Sequence, residues 1–207
     1  MSLRTQRKIQ IKQNIISKVL ELTFKGQSFS NISLRQLAKE IGVVPSALYR
    51  YFKDKDELAQ FVIDDVSLLI KSALFQSRAR FTSHPQETPQ QRMISFFEVV
   101  EKYAHYWHFF IAERWGGYPV LEEIIKQDAH VLVCDFIRDL KRLPDYHHIS
   151  KAQLIMYAEL VLQLCFTWSM DWIELCRKPA SSSVDQEKNA FIEDCSQKID
   201  FLKHALS

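Results

Sequence analysis

SLRQLAKEIGVVPSALYRYFKDKDEL, residues 33–58, decides the fold. Ser33 suits a helix N-cap, because its hydroxyl can accept from a backbone N–H that the first turn leaves without an intrahelical partner. Leu34, Leu37, Ala38 and Ile41 then fall three and four apart, and Gly42 offers the positive φ that ends a helix. Pro45 fits the first turn of a further helix, where its missing N–H costs nothing, and that helix is predicted from Pro45 to about Tyr51. Asp54 and Glu57 have capping-box spacing and open a long helix with Leu58, Phe61, Val62, Leu68 and Leu69 on one side. Two short helices joined by a tight glycine turn meet the requirements of a helix-turn-helix, the motif covering about residues 33–52.

Upstream, Ile9, Ile16, Val19, Leu20 and Phe24 recur at helical spacing, so residues 6–25 read as an amphipathic helix that stops at Gly26. Its other face is basic. Residues 1–53 carry ten Lys/Arg (Arg4, Arg7, Lys8, Lys12, Lys18, Lys25, Arg35, Lys39, Arg50, Lys53) against Glu21 and Glu40, a net +8, while the other 17 basic and 23 acidic residues give −6. A head so polarised against the rest of the chain points to a polyanionic partner. Charge alone leaves nucleic acid and anionic membrane equally open; the helix-turn-helix favours DNA, with three packed helices of an ordinary bundle and a solvated basic face as the competing reading. The division expected is a head over residues 1–55 and a body over 56–207.

The body also reads as helical. Four Gly and six Pro in 207 residues are too few turn-formers for a sandwich or barrel, and an apolar share of 47% supports a sizeable core, so the class is all-α. A polar segment, residues 82–89, is the clearest break. Beyond it, Met93, Phe96, Phe97, Val100, Tyr103, Ala104 and Trp107 form an aromatic stripe, and Leu121, Ile124, Ile125, Leu132, Phe136 and Leu140 another. Residues 151–177 are apolar almost all round, as expected of a helix with neighbours on several sides. Residues 152–173 are long enough to span a bilayer, but Gln153, Glu159, Gln163 and Asp171 favour a helix in a soluble bundle. Ile192, Cys195, Ile199, Leu202 and Leu206 mark the seam of a last helix that packs lengthwise. With Leu162, the residues Ile192, Cys195, Ile199 and Leu202 are the expected dimer interface. Cys134, Cys165, Cys176 and Cys195 show no CxxC pairing, and no leader with a cleavage site is evident, which suggests a reducing cytoplasm.

The run 33–58 resembles the DNA-binding domain of the TetR family of bacterial repressors, through its Ala-Lys-Glu-x-Gly turn and its Leu-Tyr-x-x-Phe-x-x-Lys-x-x-Leu junction; the likeness covers about residues 8–68. It implies a three-helix head on a palindromic operator, a helical regulatory body, dimerisation through the last two helices, and release from DNA when a small molecule enters the body. Position by position, Tyr49, Tyr51 and Lys55 correspond to phosphate contacts, and Pro45, Ser46 and Ala47 to base readers; Ser33, Arg35, Arg50 and Lys53 complete the candidate surface. Val44 departs from the Ser or Thr common at its position, so it reads as apolar filling more than as a contact to a thymine methyl.

A second resemblance is confined to scattered segments. Phe109-Phe-Ile-Ala-Glu-Arg-Trp-Gly-Gly117, with Val44-Pro45, is similar to the branch of that family controlling unsaturated fatty-acid synthesis or desaturase genes, and implies sensing of long-chain acyl thioesters, acyl-CoA among them. Phe96, Phe97, Val100, Tyr103, Phe110, Leu160, Leu164, Trp168 and Trp172 are the candidate tunnel, with Arg114 at the polar end; plain core is the competing reading of such a stripe. A multidrug-type repressor with another hydrophobic ligand and a ligand-free DNA-binding protein remain alternatives.

No catalytic set emerges: there is no Gly-rich phosphate loop, GxSxG or paired-carboxylate arrangement, so the chain does not read as an enzyme. No cofactor is expected. His105 and His108 with Glu113 nearby lack a further ligand at fixed spacing and are not taken as a metal site. Glu113-Arg114 reads as a structural ion pair or a clamp on a ligand's charged end.

Overall fold

In the computed structural model, which describes residues 3–84 and 86–206, every regular element is helical. The side chains of residues 3–5, 7–9, 81 and 82 lie outside that description, and with them the expected contributions of Arg4, Arg7, Lys8 and Ile9. The helices are α1 (Leu3–Phe24), α2 (Leu34–Glu40), α3 (Pro45–Leu48), α4 (Lys55–Ser83), α5 (Pro89–Lys102), α6 (Ala104–Ala112), α7 (Pro119–Leu140), α8 (Lys151–Arg177) and α9 (Ser182–His204). Single 3-10 turns occupy Phe29–Asn31, Glu113–Trp115 and Pro144–Tyr146. The all-α class expected from the composition is the observed one.

Side chains set most helix ends. Ser33 accepts from the Gln36 N–H at 3.1 Å, and Gly42 closes α2 at φ +70°. α3 is only one turn long, ending at Leu48 rather than about Tyr51, because Tyr49 is already its C-cap and the chain turns there. Asp54 accepts from the Glu57 N–H at 3.0 Å, but Glu57 reaches one residue further back than a capping box requires, to the Lys53 N–H at 2.6 Å. The aromatic stripe after residue 89 is broken at Tyr103, which caps α5 with φ −120°. α8 runs over the predicted 151–177 and opens with a full Ser150–Gln153 capping box.

The chain folds into two compact units. One comprises the residues through Leu68 together with His108–Lys126; the other comprises Leu69–Trp107 and Gln127 onward. The expected boundary after residue 55 is thus displaced, and the head is discontinuous in sequence. Phe29 shows why. It is fully buried, standing edge-on to Phe109 at 6.3 Å and to Tyr118 at 5.0 Å between ring centroids. Burying one such ring contributes about 1.5–3 kcal/mol, and both of these ring partners come from residues 108–126.

Within the second unit α5, α8 and α9 pack on one another. Phe97 stacks on Trp172 at 4.6 Å and 18°, and Phe191 tilts against both. A further cluster joins Leu140, Tyr146, Ile149, Leu154 and Tyr157, with Phe136, Val161 and Leu202 at its edge.

Candidate nucleic-acid interface and effector cavity

In the first unit, α2 and α3 pack together and expose a polar and basic surface. Arg35, Pro45, Ser46, Tyr49, Arg50 and Lys53 are exposed, Ala47 and Tyr51 half-buried. The Ser33 hydroxyl is occupied by its capping bond. Val44 is 66% exposed, which corrects its expected role as filling: as N-cap of α3 it sits at the corner where the chain leaves the core.

Not all of the +8 faces outward. Glu21 takes Lys18 at 2.6 Å and Lys25 at 2.5 Å, and these hydrogen bonds pull its carboxyl down to about 2. Lys12 lies over the Phe61 ring at 4.5 Å. Lys55, expected at a phosphate, is turned inward: its Nζ donates to the Ser30 carbonyl at 2.7 Å and lies about 5 Å above the rings of Phe29 and Tyr118. Burial lowers its pKa.

The same unit holds a polar junction that the sequence did not reveal. Glu113 is 2% exposed and accepts the Phe29 N–H at 2.8 Å, and burial raises the pKa of its carboxyl. Ser28 Oγ donates to the Gly116 carbonyl at 2.8 Å, and Tyr118 donates to Asp56 at 2.5 Å. One Glu113 oxygen is thus spent on the Phe29 N–H, and Arg114 lies against the Trp115 ring at 4.8 Å.

The second unit encloses a cavity of about 360 Å³, near the lower end for small-molecule sites. Leu74, Met93, Phe96, Leu132, Phe136, Leu140, Val161, Leu162, Cys165 and Ile199 supply apolar wall; Arg78, Arg80, Arg92, Tyr146, Tyr157 and Lys203 are its principal donors. Arg78 is held by Asp139 at 2.8 Å and Arg80 by Glu87 at 2.7 Å. Tyr157 donates to Tyr146; burial raises the pKa of both phenols, which stay protonated, and the nearby Arg92 charge opposes that shift.

Of the expected tunnel, Phe96 alone lines this cavity. Phe97, Val100, Trp168 and Trp172 are buried packing, Leu160 is 52% exposed, and Tyr103 and Leu164 are half-buried off the wall. Phe110 and Arg114 belong to the first unit, whereas the lining is drawn entirely from the second. The stripe was spent on closing the α5, α8 and α9 core. Of the expected dimer residues, Ile192 and Cys195 are buried within the chain, Leu162 and Ile199 are half-buried and line the cavity, and Leu202, also half-buried, packs on the Leu140 cluster. The apolar groups that α8 and α9 do expose are Met156 (56%), Leu160 and Phe201 (73%). Among the described residues, no helix is long and apolar enough to cross a membrane.

Residues 22–61 match the family model of the bacterial regulatory proteins of the tetR family. That similarity spans the helix-turn-helix and its flanks, 40 residues of the chain. That family is one of regulators, not of enzymes. Solved structures extend the likeness to the rest of the chain. A transcriptional regulator of the TerR/AcrR family from Aquifex aeolicus VF5 superposes with a TM-score of 0.64 at 15% identity, over 92% of this chain and 98% of that one. A transcriptional regulator from Rhodococcus sp. Rha1 gives 0.58 at 16% identity over 94% and 95%. A tetR-family transcriptional regulator from Streptomyces coelicolor gives 0.54 at 16% identity over 100% and 90%. At these identities the likeness speaks for the tetR-type fold.

The cavity residues carry no distinct mark in the sequence. Arg78 on α4 faces Asp135 and Asp139 on α7, but both helices carry charges along their whole length, so these three do not stand apart by type or spacing.

Proposed function

We propose that this chain is a ligand-responsive transcriptional repressor that binds a palindromic operator as a dimer, through the helix-turn-helix of α2 and α3. The observation that carries this is the tetR-family match over residues 22–61, which coincides with the exposed surface of Arg35, Ser46, Tyr49, Arg50 and Lys53. The small residues at the start of α3 suit entry into a major groove, and Tyr49, Arg50 and Lys53 suit phosphates. Two-fold pairing through Met156, Leu160 and Phe201 presents two heads to two half-sites. In a selection from random duplexes, wild type recovers a partly palindromic sequence. Tyr49→Ala or Lys53→Ala weakens binding to all sequences alike, whereas Ser46 substitutions change base preference. Recovery of duplexes without a shared sequence sinks the reading.

The effector is an amphiphile in the second-unit cavity, its apolar part along Leu74, Met93, Phe96, Leu132 and Phe136, and its polar end toward Arg92, Tyr146 and Tyr157. A long-chain acyl group, as the coenzyme A or carrier-protein thioester, is the first candidate, each buried methylene contributing about 0.8 kcal/mol. Chain shape matters only through unequal fit to two conformations, because a ligand equally at home in both shifts nothing. Ala158→Phe, on the cavity wall and fully buried in the wild type, fills the site. Operator binding titrated with saturated and unsaturated acyl thioesters shifts in wild type and not in Ala158→Phe. No response of the wild type to either thioester removes the acyl reading and leaves the DNA-binding one standing.

A further inference from the structure

The Phe29–Asn31 turn leads directly into Ile32 and the Ser33 cap of α2, so whatever fixes that turn fixes the start of the helix-turn-helix. It is held from two sides. Glu113 accepts the Phe29 N–H at 2.8 Å, and Lys55 donates to the Ser30 carbonyl at 2.7 Å. The second carboxylate oxygen of Glu113 is buried without a hydrogen-bond partner. It occupies the space beside Gly116 where a Cβ would stand: one built there overlaps Glu113 Oε2, although Gly116 has φ −76°, a value any residue adopts. A methyl at residue 116 would therefore meet the Glu113 carboxylate and displace it, without strain in the backbone. The charged groups that act on Glu113 are Lys55 on α4, which attracts it, and Glu122 on α7, which repels it.

We propose that Glu113 is a positioning residue for DNA binding, which sets the turn entering α2 and, through Lys55, how many cations the head offers to a duplex. The inference rests on the DNA-binding reading above. With the carboxylate charged, Lys55 stays inside, over Phe29 and Tyr118. With that charge removed, Lys55 keeps the Ser30 carbonyl and its two rings but loses its counter-charge, and its ammonium, already the poorer for burial, is freer to turn out toward phosphate. A carboxamide at the same place retains the acceptor for Phe29, so charge and hydrogen bond are separable.

The test is the affinity of full-length variants for the duplex selected by wild type, measured across salt concentrations. Glu113→Gln binds at least as tightly as wild type, with a log–log salt slope steeper by about 0.9, one additional phosphate contact. Lys55→Met removes that extra slope in the Glu113→Gln background and leaves the wild-type slope unchanged. Glu113→Ala and Gly116→Ala each weaken binding about fivefold or more, and the double variant is no weaker than either, since both dislodge one carboxylate. Glu113→Gln keeps the wild-type hydrogen bond, so its slope stays informative if Glu113→Ala fails to fold. Equal slopes for wild type and Glu113→Gln, or additive losses in the double variant, overturn the proposal. If wild type retains no duplex at all, the DNA-binding reading falls and this inference falls with it.

Discussion

Glu113 carries a pH signature as well as a positional one. Burial raises its pKa, so the folded chain binds this proton more tightly than the unfolded chain does. The associated stability is complete below the ordinary carboxylate value and is lost as pH rises through the raised value. Thermal melts from about pH 4 to pH 7 should therefore show the Glu113→Gln variant gaining on wild type as pH rises; a difference that stays flat across that range excludes a desolvated carboxylate. The thiols separate in the same way by surroundings. Burial pushes Cys165 and Cys195 up to about 12, whereas Cys134 is exposed, its Sγ 3.6 Å from His130 Nε2. Alkylation of the native protein at mild alkaline pH should modify Cys134 first and spare Cys165 and Cys195, because the thiolate is the reactive form. Mapping the label by peptide mass decides it.

Single elements show what a sequence pattern does and does not carry. α2 was legible to the residue, because capping serine, apolar spacing and terminal glycine are local signals. α8 was equally legible, its ends being set by Ser150 and by the chain turning away at Lys178. Ser33→Ala, removing the bond to Gln36, should lower stability by about 1 kcal/mol, read from the denaturation midpoint. The cavity was not legible. Whether Phe97 or Phe96 faces empty space depends on neighbours far along the chain, and Phe97 found Trp172 and Phe191 while Phe96 did not close its side. Apolar periodicity marks a face as buried without saying against what. The same limit bears on the dimer residues: Ile192 and Cys195 of the α9 seam are buried in this chain's own core, while Ile199 lines the cavity. Phe97→Ala should cost about 3–5 kcal/mol in the same assay; a loss under 1 kcal/mol places that stack outside the stabilising core.

For the molecule as a whole, exposed apolar side chains on α8 and α9 call for a partner that the packed seam does not. Leu160→Glu combined with Phe201→Glu should give folded monomers with much weaker operator binding, whereas Ile192→Glu should unfold the chain, since it buries a charge. Sedimentation and circular dichroism together separate the two outcomes. A dimer that survives the Leu160 and Phe201 pair would place the interface elsewhere. The discontinuous first unit bears on how this protein is made and altered. A nascent chain that has emerged only through Leu68 lacks Phe109, Glu113 and Tyr118, so its Phe29 has neither ring partner nor the acceptor of its N–H, and its Lys55 keeps only one of its two rings. Cooperative folding of the head must wait until the ribosome has released roughly residue 126, at about 5–20 residues per second. By the same token the head is not a cassette. Grafted onto another regulator's body without its 108–126 segment, it would meet foreign residues at Phe29 and Ser30, and chimaeras cut at residue 55 or 68 should lose the very activity they were built to transfer.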